Sequence, residues 1–139
     1  MNGRHLLALL IVTGTALAAD LPRGTSPPDA RVYIISPMDG ATVTSPVTVR
    51  FGLSGMGIAP AGMEMTGTGH HHLLIDTELP PFGQPVPADE HHLHFGKGQT
   101  EAVVNLEPGQ HRLQLLLADY LHRPHQPPVF SEPISITVQ

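Results

Sequence analysis

The sequence predicts an all-β domain, an immunoglobulin-like (Greek-key) antiparallel β-sandwich of about seven strands. Three observations carry that prediction. Short runs of alternating apolar and polar residues recur along the chain, each closed by a turn signal. Fifteen prolines are spread through 139 residues and leave little room for long helices. Two such runs, VTVRFGL and HRLQLLLA, have an apolar face at every second residue.

Arg31 to Ser36 reads as the first strand, stopped by Pro37 and the Asp39-Gly40 turn. Val47 to Leu53 follows, with Val47, Val49, Phe51 and Leu53 facing inward. Further strands are expected at His71 to Asp76, around His91 to Phe95, and at Thr100 to Leu106. Pro108-Gly109 turns into His111 to Ala118, which places His111, Leu113, Leu115 and Leu117 on one face. Ile134 to Val138 closes the domain. A helix is the competing reading of HRLQLLLA, and the preceding proline–glycine turn argues against it. Two long loops, 54–69 and 79–90, each lead into a histidine-rich strand. Loops of that length in a small domain are usually functional or mobile.

The domain is expected over residues 31–139. Residues 1–19 read as a secretory signal peptide: a weakly basic start at Arg4 and His5, an apolar run from Leu6 to Leu17, and small residues that fit cleavage near Ala18 or Ala19. The run is too short for a permanent membrane span, and no transmembrane segment is expected in the mature chain. The expected location is periplasmic or secreted. Residues 20–30, DLPRGTSPPDA, read as a flexible N-terminal lead.

Composition narrows the function. The chain carries a formal charge of −5 with no basic patch, which argues against nucleic acid as a partner. The absence of cysteine excludes disulfides and thiolate metal sites. A mature chain of about 120 residues is long enough to rest on its apolar core. With no tryptophan and 4% aromatics, that core is mainly Leu, Ile and Val, and an aromatic sugar-binding platform is not expected.

The informative residues are the histidines, ten in all and nine beyond the leader. They fall into His70-His71-His72, His91-His92-x-His94, and His111 with His122 and His125. Alternate residues of a strand point the same way and stand about 6–7 Å apart. The pairs His70/His72 and His92/His94 can therefore each aim two imidazoles at one point. If their strands are neighbours, four nitrogens converge, a donor set suited to Cu(II), Zn(II) or Ni(II). His92 and His94 are assigned to the polar face; His91 is expected to point inward with Leu93 and Phe95. His122 and His125, in the proline-stiffened LHRPHQPP, can cap the site. Asp76 and Asp119 are possible weak ligands or carboxylates that orient a ligand ring. Met63 and Met65 are soft donors just ahead of His70, favouring Cu(I); loop methionines equally serve as packing. His71, His91 and His111 read as hydrogen-bonded framework residues.

The blocks GHHHLLID, P-x-P-A-D, HLHFGKGQTE, PGQHRLQLLLAD and H-x-P-H-x-P-P resemble a small exported bacterial family, rich in histidine, catalogued only as a domain of unknown function. The resemblance runs from about Val32 to Val138. It implies an envelope location and an immunoglobulin-like sandwich, and it supplies no activity. The family's pattern does not require Met63 or Met65. His92-Leu93-His94-Phe95-Gly96 is also similar to the copper-ligand strand of copper–zinc superoxide dismutases, but the paired cysteines and zinc loop of that family are missing, so its activity is not carried over.

Three functions are therefore open. The first is an exported metal-binding protein, with copper as the favoured ion and zinc as the alternative, that buffers, stores or delivers the ion and can meet an envelope delivery partner. The second is a non-enzymatic structural or interaction domain with framework histidines. The third is a metal-dependent enzyme, for which no motif assigns an acid or base; the serines lie in no nucleophile-elbow pattern, and the Gly-x-Gly pieces are too short for phosphate loops.

Overall fold

The computed structural model describes residues 22–139. The signal-peptide reading lies outside the described residues. Nine strands follow in order: β1 (Arg31–Ser36), β2 (Thr42–Val43), β3 (Val47–Ser54), β4 (Gly57–Ile58), β5 (Thr68–Ile75), β6 (His92–His94), β7 (Glu101–Val104), β8 (Gly109–Ala118) and β9 (Ile134–Val138). Among the described residues there is no helix long and apolar enough to cross a membrane.

The strands form two sheets. One has the order β1-β3-β7; the other runs β2-β9-β8-β5-β4, with β6 also paired to β5. Alternation in the sequence explains how they pack. Val32, Val49 and Phe51 from the first sheet meet Leu73, Leu113, Leu115, Leu117 and Ile136 from the second in one buried core. The apolar positions repeat every second residue, so each strand delivers a single face to that core.

One expectation about the fold is corrected. The pairing is mixed rather than purely antiparallel, because β2 runs parallel to β9 and β4 parallel to β5. Both exceptions are two-residue strands, too short to leave a periodic signal. The outer face of the larger sheet is covered as well. Leu74, Leu116 and Ala118 point away from the main core into a second apolar cluster with Val86, against which Leu79 and Phe82 of the 79–90 loop pack. β5 and β8 are thus buried on both sides, which is why LLI and LLLA are continuous apolar runs.

The N-terminal segment, read from its prolines as flexible, is tied down where it is described. Arg23 donates from its guanidinium to the carbonyl oxygens of Pro124 and His125. Gly24 N–H donates to Asp119 at 3.0 Å and Ser26 N–H to Gln126 O at 3.2 Å. Composition does not reveal that the 119–127 loop offers this run of acceptors.

Candidate metal centre

β5 is the scaffold of the site. His71 shares the core face with Leu73 and Ile75; its ring packs on Phe51 at a centroid distance of 5.0 Å. His70 and His72 point to the opposite face with Leu74. β6 pairs antiparallel with β5 so that His94 lies directly across from His72 and His92 across from Leu74. The two His-x-His pairs therefore do share one face of neighbouring strands.

Four imidazoles converge there. His70 stands 4.9 Å from His72, 5.0 Å from His94 and 5.1 Å from His122, centroid to centroid. His94 lies 5.2 Å from His72 and 4.8 Å from His122. One ring nitrogen from each of His70, His94 and His122 lies within 4.8 Å of the others. Bonds of about 2.0–2.1 Å to a tetrahedral ion would set such nitrogens about 3.3 Å apart. Side-chain rotation of the exposed His94 and half-buried His122 can supply that difference. His70 and His72 form the closed floor and His94 and His122 the open side.

Local structure sets each ring in place. Gly96 leaves room for His94, since a Cβ there would stand 2.2 Å from its Cε1. His122 adopts a left-handed backbone at φ 65°. Asp119 holds that turn by accepting from the N–H groups of Leu121 at 2.9 Å and Arg123 at 3.0 Å. Val86 N–H donates to His122 O at 2.7 Å and fastens the turn to the covering loop.

The electrostatics favour metal over proton. Burial is the main cause that pushes the His72 pKa down to about 2 and that of His70 down to about 4, with repulsion from the neighbouring imidazoles adding to it. His94 is lowered as well, by burial and then by His122. At neutral pH these rings are uncharged, and each neutral imidazole keeps a lone pair for a ligand. His70 is 0% exposed and His72 1%, yet neither ring nitrogen of His70, nor Nδ1 of His72, has a hydrogen-bond partner in the protein. Buried polar atoms are ordinarily paired, so the protein itself leaves these donors and acceptors for something else.

The remaining histidines do other work. His92 is buried but turns its Nδ1 to Asp89 Oδ1 at 2.7 Å, so it fixes the entry to β6 rather than joining the four rings. That contact, helped by the backbone N–H of His91, holds the Asp89 carboxyl below its ordinary range. His125 bonds Thr68 O through Nε2 at 2.9 Å and lies in the wall of an adjoining cavity. His91 is exposed, contrary to expectation: it sits in the turn before β6, outside the strand alternation, with Nδ1 donating to Ile75 O at 2.9 Å. His111 is the expected framework residue. Its Nδ1 meets Asp76 Oδ2 and its Nε2 meets Glu107 O, each at 2.7 Å. Burial alone would lower its pKa, but two acceptors, one on each nitrogen, raise it. His71 is not hydrogen-bonded as expected: both its nitrogens lack a partner, and burial lowers its pKa to about 4.

Asp76 thus orients His111 and not a ring of the quartet. Asp119 builds the turn that presents His122, and its charge partly offsets the lowering of the His70 pKa. Met63 and Met65 line the cavity that His70 and His125 also line.

The family model described as "Domain of unknown function (DUF4399)" matches residues 49–139, from the middle of β3 to the end of the chain. The chain belongs to that family. The match takes in all four converging histidines and begins later than the Val32 expected from the sequence blocks. No curated protein and no solved structure matches the chain.

Proposed function

We propose that this protein is an exported metal-binding protein that holds a single transition-metal ion, Cu(II) by preference and Zn(II) as the alternative, on His70, His72, His94 and His122. The observation that carries this reading is the buried, neutral pair on β5, His70 with neither nitrogen partnered and His72 with Nδ1 unpartnered, beside the more accessible rings of His94 and His122, which with His70 bring three ring nitrogens together. Imidazole nitrogen suits both ions, and hard-cation chemistry would call for carboxylates that the four-ring cluster does not contain. A closed floor with an open side suits an ion that must be taken up and released, as in buffering or delivery to an envelope partner. The apolar run Leu6 to Leu17 ahead of Ala18 and Ala19 supports export. The strand orders β1-β3-β7 and β2-β9-β8-β5, with β2 parallel to β9, support an immunoglobulin-like connectivity.

A framework role is the second reading, and His92, His111 and His125, each hydrogen-bonded, favour it for themselves. It does not account for His70, which makes no such bond.

The experiment is calorimetric titration of metal-stripped protein with Cu(II) and with Zn(II) near pH 7, beside the variant H94Q/H122Q. Both substitutions lie on the open side, so the fold is expected to survive. The proposal expects submicromolar binding of one equivalent in the native protein and its loss in the variant. Binding no tighter than millimolar in the native protein would move the histidines to the framework reading.

A further inference from the structure

A cavity of about 210 Å³ lies beside the quartet, between the N-terminal segment at 22–25, the loop before β5 and the 119–125 turn. Its wall holds three features that the quartet does not use. The first is His125, 1% exposed. Its Nε2 faces the carbonyl oxygen of Thr68, which can only accept, so that nitrogen carries the proton. In the neutral ring Nδ1 then keeps a bare lone pair, and it is buried with no hydrogen-bond partner.

The second feature is the close fit of that ring. A Cβ on Gly69 would stand 2.7 Å from its Cε1, and a Cβ on Gly24 3.1 Å from its Cδ2. Two glycines on separate segments thus make room for the imidazole, and its bond to Thr68 O orients it. The third is a pair of thioethers. Met63 and Met65, two residues apart, line the same cavity while remaining 49% and 55% exposed, with Glu64 between them adding negative charge. Long apolar side chains left half in water are not packing the core.

We propose that this cavity is a second metal site, softer than the first, that takes a monovalent d10 cation such as Cu(I) on Met63, Met65 and His125 Nδ1. Thioether sulfur prefers soft ions, and two thioethers with one imidazole form a three-donor set suited to Cu(I) and unsuited to Ca²⁺ or Mg²⁺. His70 lines this cavity and also belongs to the quartet, so the two sites share a wall. The cavity site stands on His125 and the methionines, not on the quartet, and can be tested without it.

The probe is Ag(I), a redox-inert stand-in for Cu(I), followed by the methyl resonances of 13C-methyl-labelled methionine in the mature protein. The first equivalent should shift Met63 and Met65 and leave Met38 and Met56 unmoved. M63L/M65L should weaken Ag(I) binding at least tenfold and leave the Cu(II) titration intact, whereas H94Q/H122Q should do the reverse. If Ag(I) moves neither methyl, moves all methionines alike, or binds M63L/M65L as tightly as the native protein, the cavity site is wrong. Shifts at Met63 and Met65 in a protein that fails the Cu(II) and Zn(II) titrations would uphold this site and remove the quartet.

Discussion

His70 receives nothing from the fold in hydrogen bonds. It is fully buried, both ring nitrogens are without a protein partner, and its neighbours are three more imidazoles. Leaving a buried polar group unpaired costs about 1–3 kcal/mol. His71 bears the same cost on the core face, against Phe51; the unpaired nitrogens of His70 instead sit among three imidazoles, where an ion can meet them. It follows that His70→Leu should stabilise the metal-free protein by about 1 kcal/mol or more while abolishing metal binding, as read by denaturant unfolding and titration of the same sample. A destabilised His70→Leu protein would mean that the ring is structural. The contrast with His111 is instructive at this scale, since that ring has an acceptor on each nitrogen. Spacing in the sequence sorts the histidines by strand face; their partners and surroundings then set the framework ring of His111 apart from the candidate ligand His70.

At the scale of elements, the site depends on register. Pairing of β6 with β5 puts His94 opposite His72, and a slip by one residue would send His94 to the other face. The turn from Asp89 to His92 and the close seat of Gly96 fix that register and the ring. Adding a methyl at Gly96 meets chiefly the far end of His94, an exposed side chain that can swing aside, and stands 3.2 Å from the Cβ of Ala61, a tight contact that a small shift relieves. Gly96→Ala is therefore expected to keep the melting temperature while weakening metal affinity, by about tenfold, the low end of what loss of ligand orientation costs. An unchanged affinity would show that His94 binds from another rotamer or not at all.

The strands and the faces of His70, His72, His92 and His94 were legible in the sequence, because period-two alternation reports directly on sheet geometry. The exceptions have local causes. His91 lies in a turn, where alternation does not apply. His92 and His125 find nearer partners in Asp89 and Thr68, which spacing alone cannot reveal. β2 and β4 are too short to show a pattern, and the covering of the outer face by Leu79, Phe82 and Val86 arises from a loop distant in sequence from Leu116.

For the molecule as a whole, the buried neutral rings tie stability to pH. The pKa of His71 falls from 6.5 to about 4 on folding, because burial disfavours its charged form. The unfolded chain binds the proton more readily, so metal-free protein should lose stability as pH drops below 6.5, by up to about 1.4 kcal/mol per pH unit for this ring, levelling off near pH 4. His70 and His72 act in the same direction. Denaturant unfolding across pH 7 to 4 should show this fall, reduced in His71→Leu. A flat profile would mean that the rings meet water in the fold.

The central claim is that four imidazoles of one sheet face and one turn hold a single ion. X-ray absorption on protein loaded with one equivalent of Cu(II) and then desalted counts those ligands directly. The account predicts three or four imidazole nitrogens at about 2.0 Å. A shell of oxygens with one imidazole at most, or copper lost on desalting, would contradict it.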